Sequence, residues 1–136
     1  MKIDIYTDGA CKGNPGPGGW SAILMDENGG KRLIHGSEAR TTNNRMELMG
    51  SIKGLEATPE GAQVTIYSDS EYLVKTMSLG WKRNKNQDLW EKLDKLCSNR
   101  RVRWRWVPGH AGDPGNEEAD KWATREAGLR GTDTPP

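Results

Sequence analysis

Apolar and polar residues alternate from the start of the chain. Between Lys2 and Asp8, Ile3, Ile5 and Thr7 fall on one side and Asp4, Tyr6 and Asp8 on the other, which is the period of a β-strand. Trp20–Met25 and Lys31–Ser37 read as two more strands, joined by a hairpin turn at Glu27-Asn28-Gly29-Gly30. The stretch GACKGNPGPGG (9–19) holds five glycines and two prolines and predicts a tight turning loop. From Asn44 the period becomes helical. Leu48, Met49, Ile52 and Leu55 share a face, with Asn43 or Asn44 as N-cap and Pro59-Glu60-Gly61 as terminator.

Val64–Ser68 is a short β-branched run that suits a buried strand. Glu71–Leu79 predicts a helix capped by Asp69 or Ser70, and Asp88–Cys97 another, carrying Leu89, Trp90, Leu93 and Leu96. Val102, Trp104 and Trp106 alternate with Arg101, Arg103 and Arg105 as a fifth strand. A loop at 108–115 leads to a last helix from Asn116 to about Ala127. Strands separated by helices pair in parallel. The expected fold is therefore α/β: a mixed five-stranded sheet, three antiparallel strands and then parallel ones, with helices on both faces. Trp90, Trp104, Trp106 and Trp122 are assigned to the core and His35 to the surface.

The 136 residues fit one domain, 1–128, followed by a short flexible tail, 129–136. Only 33% of residues are apolar and Phe is absent, so six Trp and three Tyr supply the aromatic bulk. The longest apolar-dominated run, Trp20–Met25, is far short of the ~20 residues a bilayer span needs. No signal-peptide pattern precedes the first strand. Two cysteines, Cys11 and Cys97, in a chain that needs no staple favour a reduced, cytoplasmic setting, and a monomer is the default expectation. Net charge is +1, but Lys75–Trp106 carries ten Lys/Arg against three acids. That asymmetry points to a polyanion gripped on one side, although solvated helix faces would account for it as well.

Four carboxylates stand at element ends or beside apolar faces. Asp8 closes the first strand and Asp69 the fourth, and α/β sheets gather ligands outside strand C-termini near the switch of strand order. Glu47 lies in the first turn of its helix beside the apolar stripe, and Asp120 lies next to Ala119 and Ala123. Each also has an ordinary reading: turn or cap for Asp8 and Asp69, dipole complement for Glu47, exposed helix acid for Asp120.

The strings TDGACKGNPGPGGW (7–20), TTNNRMELM (41–49), YSDSEY (67–72) and VPGHAGDPGNEEAD (107–120), in that order along nearly the whole chain, together resemble type 1 ribonuclease H. The resemblance implies a metal-dependent endonuclease that cuts the RNA strand of RNA–DNA hybrids and leaves 5′-phosphate and 3′-hydroxyl ends. It implies Asp8, Glu47, Asp69 and Asp120 as ligands of two Mg²⁺ ions, with Mn²⁺ as substitute, and no organic cofactor or membrane partner. Close carboxylates raise one another's pKa unless cations compensate them, which agrees with such a site. His110 falls on the family's loop histidine, a proton shuttle or an aid to product departure.

By the same resemblance, Asn14, Asn43 and Asn44 lie near the RNA strand and base edges. Arg40, Thr42 and Asn86 form a DNA-phosphate pocket, and Trp81 lies along a deoxyribose. Capping is an equally simple role for Asn43 and Asn44, and helix-end packing for Trp81. Two departures stand out. The basic helix and loop of many bacterial relatives are missing, replaced by the direct connection 80–86 with Lys82, Arg83 and Lys85. Glu71 stands where the family often has Gln, next to the third carboxylate. A hybrid-binding module without catalysis, and a related DNA-acting nuclease of the resolvase, integrase or transposase kind, are the alternatives.

Overall fold

Backbone pairing in the computed structural model, which describes residues 1–131, joins five strands into one sheet. Strands β1 (Lys2–Cys11), β2 (Gly16–Asp26) and β3 (Lys31–Thr41) pair antiparallel; β4 (Gln63–Ser68) and β5 (Arg101–Trp106) add in parallel beyond β1. The order β3-β2-β1-β4-β5 makes β1 the switch between the two halves. Helices α1 (Asn43–Glu56), α2 (Glu71–Leu79), α3 (Gln87–Ser98) and α4 (Pro114–Gly131) complete the α/β architecture expected from the sequence. Helix α4 continues through 129–131, the start of the expected tail; residues 132–136 lie outside the described residues. No helix among the described residues is long and apolar enough to cross a membrane.

The glycine-rich stretch is mostly strand rather than turn. Only residues 12–15 fall outside β1 and β2. The glycines serve close packing: Gly18 faces Thr41 and Met46, whereas its neighbour Gly19 faces Ala123 and Ala127. A Cβ on Gly19 would stand 2.6 Å from the Ala127 amide nitrogen. Adjacent strand residues point to opposite faces, so α1 and α4 sandwich the sheet. Ala119, Ala123 and Ala127 are buried along α4, and the Ser21 hydroxyl donates to the Ala119 carbonyl at 2.6 Å.

The start of α1 also differs from the sequence reading. Thr42, not Asn43 or Asn44, caps α1 by accepting from the Arg45 amide at 3.3 Å, which makes Glu47 the fifth helical residue. For α2, which spans the expected Glu71–Leu79, the cap is Ser70, one of the two residues the sequence offered, accepting from the Leu73 amide at 3.1 Å. The cap on Ser70 leaves the Asp69 carboxylate free for other work.

Ile5, Leu48, Leu55, Ile66, Leu73, Trp90 and Leu93 form the buried centre between the sheet and α1–α3. Of the other expected core tryptophans, Trp104 is only partly buried and Trp106, at the end of edge strand β5, is 46% exposed. Trp122 stacks on His35 with ring centroids 4.8 Å apart, and His35 Nδ1 meets Glu126 Oε1 at 2.6 Å. His35 is therefore a half-exposed tie between β3 and α4.

Candidate active site

Asp8, Glu47 and Asp69 arrive from three different elements and meet. One oxygen from each lies within 4.8 Å of the other two. Strand β1 delivers Asp8 and α1 delivers Glu47, both buried; Asp69 follows the last residue of β4 and is half-buried. The meeting depends on Gly9. A Cβ there would collide with the Glu47 amide nitrogen and stand 2.5 Å from the Met46 carbonyl carbon. Asp120 in α4 acts on Asp8 as a close neighbour and raises its pKa, so the fourth carboxylate adjoins the trio.

Supports converge on Asp69. Asn116 Nδ2 donates to its Oδ2 at 3.4 Å, and Trp106 Nε1 donates to its carbonyl at 3.1 Å. Gly109 packs so closely that a Cβ would stand 2.8 Å from Asp69 Oδ2. Asn116 is buried and Asp113 caps the helix that carries it, accepting from the Gly115 and Asn116 amides at 3.0 and 3.1 Å. The sequence reading missed Asn116. Its only local signal is its place one turn before Asp120.

His110 follows Gly109 with a left-handed φ of 55°. It is exposed and stands outside the carboxylate trio.

The carboxylates disturb each other strongly. Burial, then the neighbouring Asp69 and Asp120, push the Asp8 carboxyl up to about 8, opposed by the Gly9 amide. Burial, followed by Asp8 and Asp69, also raises Glu47 well above the usual range. Both groups hold protons in the fold that the unfolded chain releases near pH 4. Metal-free protein therefore loses stability as pH climbs from about 4 towards 8. In chelator, Asp8→Asn is expected to gain about 1–3 kcal/mol of stability at pH 8 and to lose that advantage at pH 4. Thermal melts across that range measure the effect; equal melting at both ends contradicts it.

Glu47 Oε1 is buried without a hydrogen-bond partner among the described residues. Leaving such an atom unsatisfied is costly unless something else fills its coordination. The donor set is oxygen only, which suits a hard divalent cation such as Mg²⁺ or Mn²⁺ and not structural zinc. The residues present fit such an ion, with Asp8, Glu47 and Asp69 as its ligands and Asp120 beside them.

A second group of expected contacts surrounds the start of α1. Asn14 Oδ1 accepts from the Asn43 amide at 3.0 Å, tying the β1–β2 connection to the helix. Asn43 and Asn44 are exposed in the first turn, and Arg40 is exposed at the end of β3. Asn86, at φ 64°, is held from two sides: its Oδ1 accepts from Arg45 at 3.3 Å and its Nδ2 donates to the Tyr72 hydroxyl at 3.3 Å. Arg45 is itself fixed by both oxygens of Asp88, at 3.0 and 2.8 Å. Arg45 and Tyr72 were not singled out from sequence, because their partners lie far along the chain. Trp81 is 45% exposed with the Lys75 ammonium 5.5 Å from its ring centre. Glu71 is exposed and pairs with Lys75 at 3.4 Å rather than turning toward the carboxylates.

The RNase H family model matches residues 1–128. Ribonuclease H of Legionella pneumophila (strain Corby) is 50% identical over 136 residues, covering 90% of this chain and 94% of that protein. Ribonuclease H of Bordetella pertussis is 48% identical over 138 residues, covering 92% and 88%. Among solved structures, the N-terminal RNase H domain of a Mycobacterium tuberculosis protein superposes with a TM-score of 0.85, at 28% identity and 96% coverage of both chains. The compost-derived LC11-RNase H1, solved in complex with an RNA/DNA hybrid, gives 0.76 at 27% identity, over 96% of this chain and 99% of that one.

Proposed function

The chain belongs to the ribonuclease H family, and on that premise we propose that it hydrolyses the RNA strand of RNA–DNA hybrids with two divalent ions, leaving 5′-phosphate and 3′-hydroxyl ends. The observation that carries this reading is the partnerless Glu47 oxygen in a knot of carboxylates at the ends of β1 and β4. When bound, a pair of ions supplies an activated water and charge relief at the leaving oxygen.

The protein's own task is to place oxygens. Asp8 occupies the centre, with Asp69 and Asp120 both acting on its charge and Glu47 feeling it in turn. Asn116, Trp106 and Gly109 fix the remaining side through Asp69. His110, exposed on the loop that passes Asp69, shuttles a proton or assists product departure, since its ring offers both a donor and an acceptor nitrogen.

Substrate contacts follow the same groups. Asn14, Asn43 and Asn44 read 2′-hydroxyls and base edges of the RNA strand from the α1 end, where Asn14 and Asn43 are already tied together. Arg40, Thr42 and Asn86 take a DNA phosphate, with Asn86 held in place by Arg45 and Tyr72. Trp81 offers an exposed ring to a deoxyribose. The enzyme acts as a monomer in the cytoplasm.

Incubating end-labelled hybrid, duplex DNA and duplex RNA with Mg²⁺ or Mn²⁺ tests the reading. RNA-strand cleavage of the hybrid alone supports it, and cutting of duplex DNA contradicts it.

The connection 80–86 leads directly from α2 to α3, and Arg83 is engaged by Asp94 and by the Trp90 ring 4.7 Å away. Of its basic residues, Lys82 and Lys85 are the ones that remain exposed and unengaged among the described residues. Hybrid affinity is therefore expected to fall about tenfold below that of relatives with an extra basic helix, with a steep decline between about 50 and 200 mM salt. Equal affinity across that range contradicts the expectation. A smaller effect is expected of Glu71→Gln, a few-fold change in cleavage-site preference, checked by mapping product ends; an unchanged map contradicts it.

A further inference from the structure

Helix α4 packs over β1, β2 and β3, and on the same face of β4 and β5 the side chains of Gln63, Arg101, Arg103 and Arg105 are exposed among the described residues. On that face, parallel pairing sets Lys2 beside Gln63 and Arg101, Asp4 beside Thr65 and Arg103, and Tyr6 beside Tyr67 and Arg105. Tyr6 and Tyr67 stack with centroids 4.6 Å apart and an interplanar angle of 13°. The N-terminal turn of α4 abuts Tyr6 at Gly115, and Tyr67 feels both Asp4 and Arg105. Below this aromatic wall lies a cavity of about 540 Å³, lined by Lys2, Asp4, Gln63, Thr65, Arg101 and Arg103 among others.

Arg101, Arg103 and Arg105 are exposed, and among the described residues neither they nor the Lys2 side chain enter an ion pair or side-chain hydrogen bond. Asp4 and Asp113 are the carboxylates nearest the tyrosines, and Asp113 is occupied as the cap of α4. Alternating arginines on an edge strand also discourage strand addition. That role does not explain Lys2, two strands away on β1, or the hydroxyl and amide donors of Thr65 and Gln63 between them.

The same strands continue into the carboxylate site. Asp8 lies two residues beyond Tyr6 on the same side of β1, and its pairing partner Ser21 bonds α4. Asp69 lies two residues beyond Tyr67. The face is three strands wide, about 10 Å, which suits one sugar–phosphate chain. Its cations recur every second residue along β5, about 6.7 Å apart.

From this juxtaposition we infer that the open face of β1, β4 and β5 is a binding track for single-stranded nucleic acid, its phosphates on Lys2, Arg101, Arg103 and Arg105 and its sugars and bases against the Tyr67 side of the aromatic wall. The track takes the cut RNA strand, the one that occupies the carboxylate site and extends out of it. An acidic peptide shares the charge but has no reason to be continuous with the site. The assignment rests on the nuclease reading, because the strand arrives from that site.

The test uses the full chain in chelator, with fluorescently labelled single-stranded RNA and DNA 12-mers, followed by anisotropy from 50 to 200 mM salt. Replacing the pair Arg101→Gln and Arg103→Gln is expected to weaken binding about tenfold at 50 mM. It is also expected to lower the salt slope by about 1.4, or 0.7 per lost phosphate contact. The pair Arg101→Lys and Arg103→Lys is expected to restore both. Binding of the RNA oligomer with these losses supports the track, and tighter binding of the DNA oligomer overturns its assignment to the cut strand. No binding by the parent, losses not recovered by lysine, an unchanged affinity in the glutamine pair, or equal competition by a glutamate peptide of the same charge overturns it. Cleavage of a blunt-ended hybrid in Mg²⁺, expected unchanged in the glutamine pair, is read separately: its absence in the parent refutes the nuclease reading without touching the anisotropy result.

Discussion

Asp8→Asn is expected to lower hybrid cleavage in saturating Mg²⁺ by about three orders of magnitude or more, a barrier increase of ~4 kcal/mol, in a protein that folds at least as well as the parent. Asp8 is the carboxyl that the other three share: Asp69 and Asp120 both push its pKa up, and it in turn pushes up that of Glu47. The amide keeps the shape and removes the charge and one oxygen donor, so packing survives while the cation-holding set does not. Burial among like charges makes the native carboxylate a destabilising group without metal. Loss of activity and gain of stability should therefore appear in the same variant. Cleavage time courses with parallel thermal melts check both. Retained cleavage, or lost cleavage with a collapsed fold, contradicts the assignment.

The second large effect belongs to a residue with no chemistry of its own. Gly9→Ala is expected to cost about 2–4 kcal/mol of stability and to reduce cleavage about a hundredfold. The added methyl meets backbone atoms of Met46 and Glu47, which cannot swing aside as a side chain would, so α1 must shift away from β1. Glu47 rides on that segment of α1, and a displacement of about 1 Å at a positioned catalytic group carries a cost of this order. Gly29→Ala is the control: it lies in the β2–β3 turn at φ 84° with open space around it, so its cost is that of backbone strain alone. Urea unfolding and cleavage rates of both variants decide the matter. A Gly9→Ala protein no less stable than Gly29→Ala removes the packing argument.

Element types and order were legible because the periods are clean: alternation at Ile3, Ile5 and Thr7, and helical spacing at Leu48, Ile52 and Leu55. What local pattern did not disclose depends on contacts far along the chain. The run 9–19 reads as a turn by composition, yet its glycines lie mostly in strands because α1 and α4 press on both faces. Trp106 alternates like a core residue, but it ends an edge strand and spends its indole N–H on the Asp69 carbonyl. His35 reads as surface, although Trp122 and Glu126, some ninety residues away, engage it.

The candidate site divides in the same way. Asp8, Glu47 and Asp69 could be nominated from strand ends and family resemblance, and the fold brings them within one ion's reach. Asn116 escaped notice, because an Asn at the start of a helix reads as a capping residue until Asp69 is placed beside it. Asn86 was nominated by resemblance, but the Arg45 and Tyr72 contacts that hold it span separations of 41 and 14 residues. No periodicity reports such pairs.

Electron paramagnetic resonance of Mn²⁺ titrated into the protein bound to a hybrid carrying a 2′-deoxy sugar at the cleavage position reads the metal centre itself. Two ions per complex, close enough at about 3.5–4 Å to couple magnetically, with that coupling lost in Asp8→Asn, is the predicted result. A single isolated ion in the parent, or the same spectrum from Asp8→Asn, contradicts it.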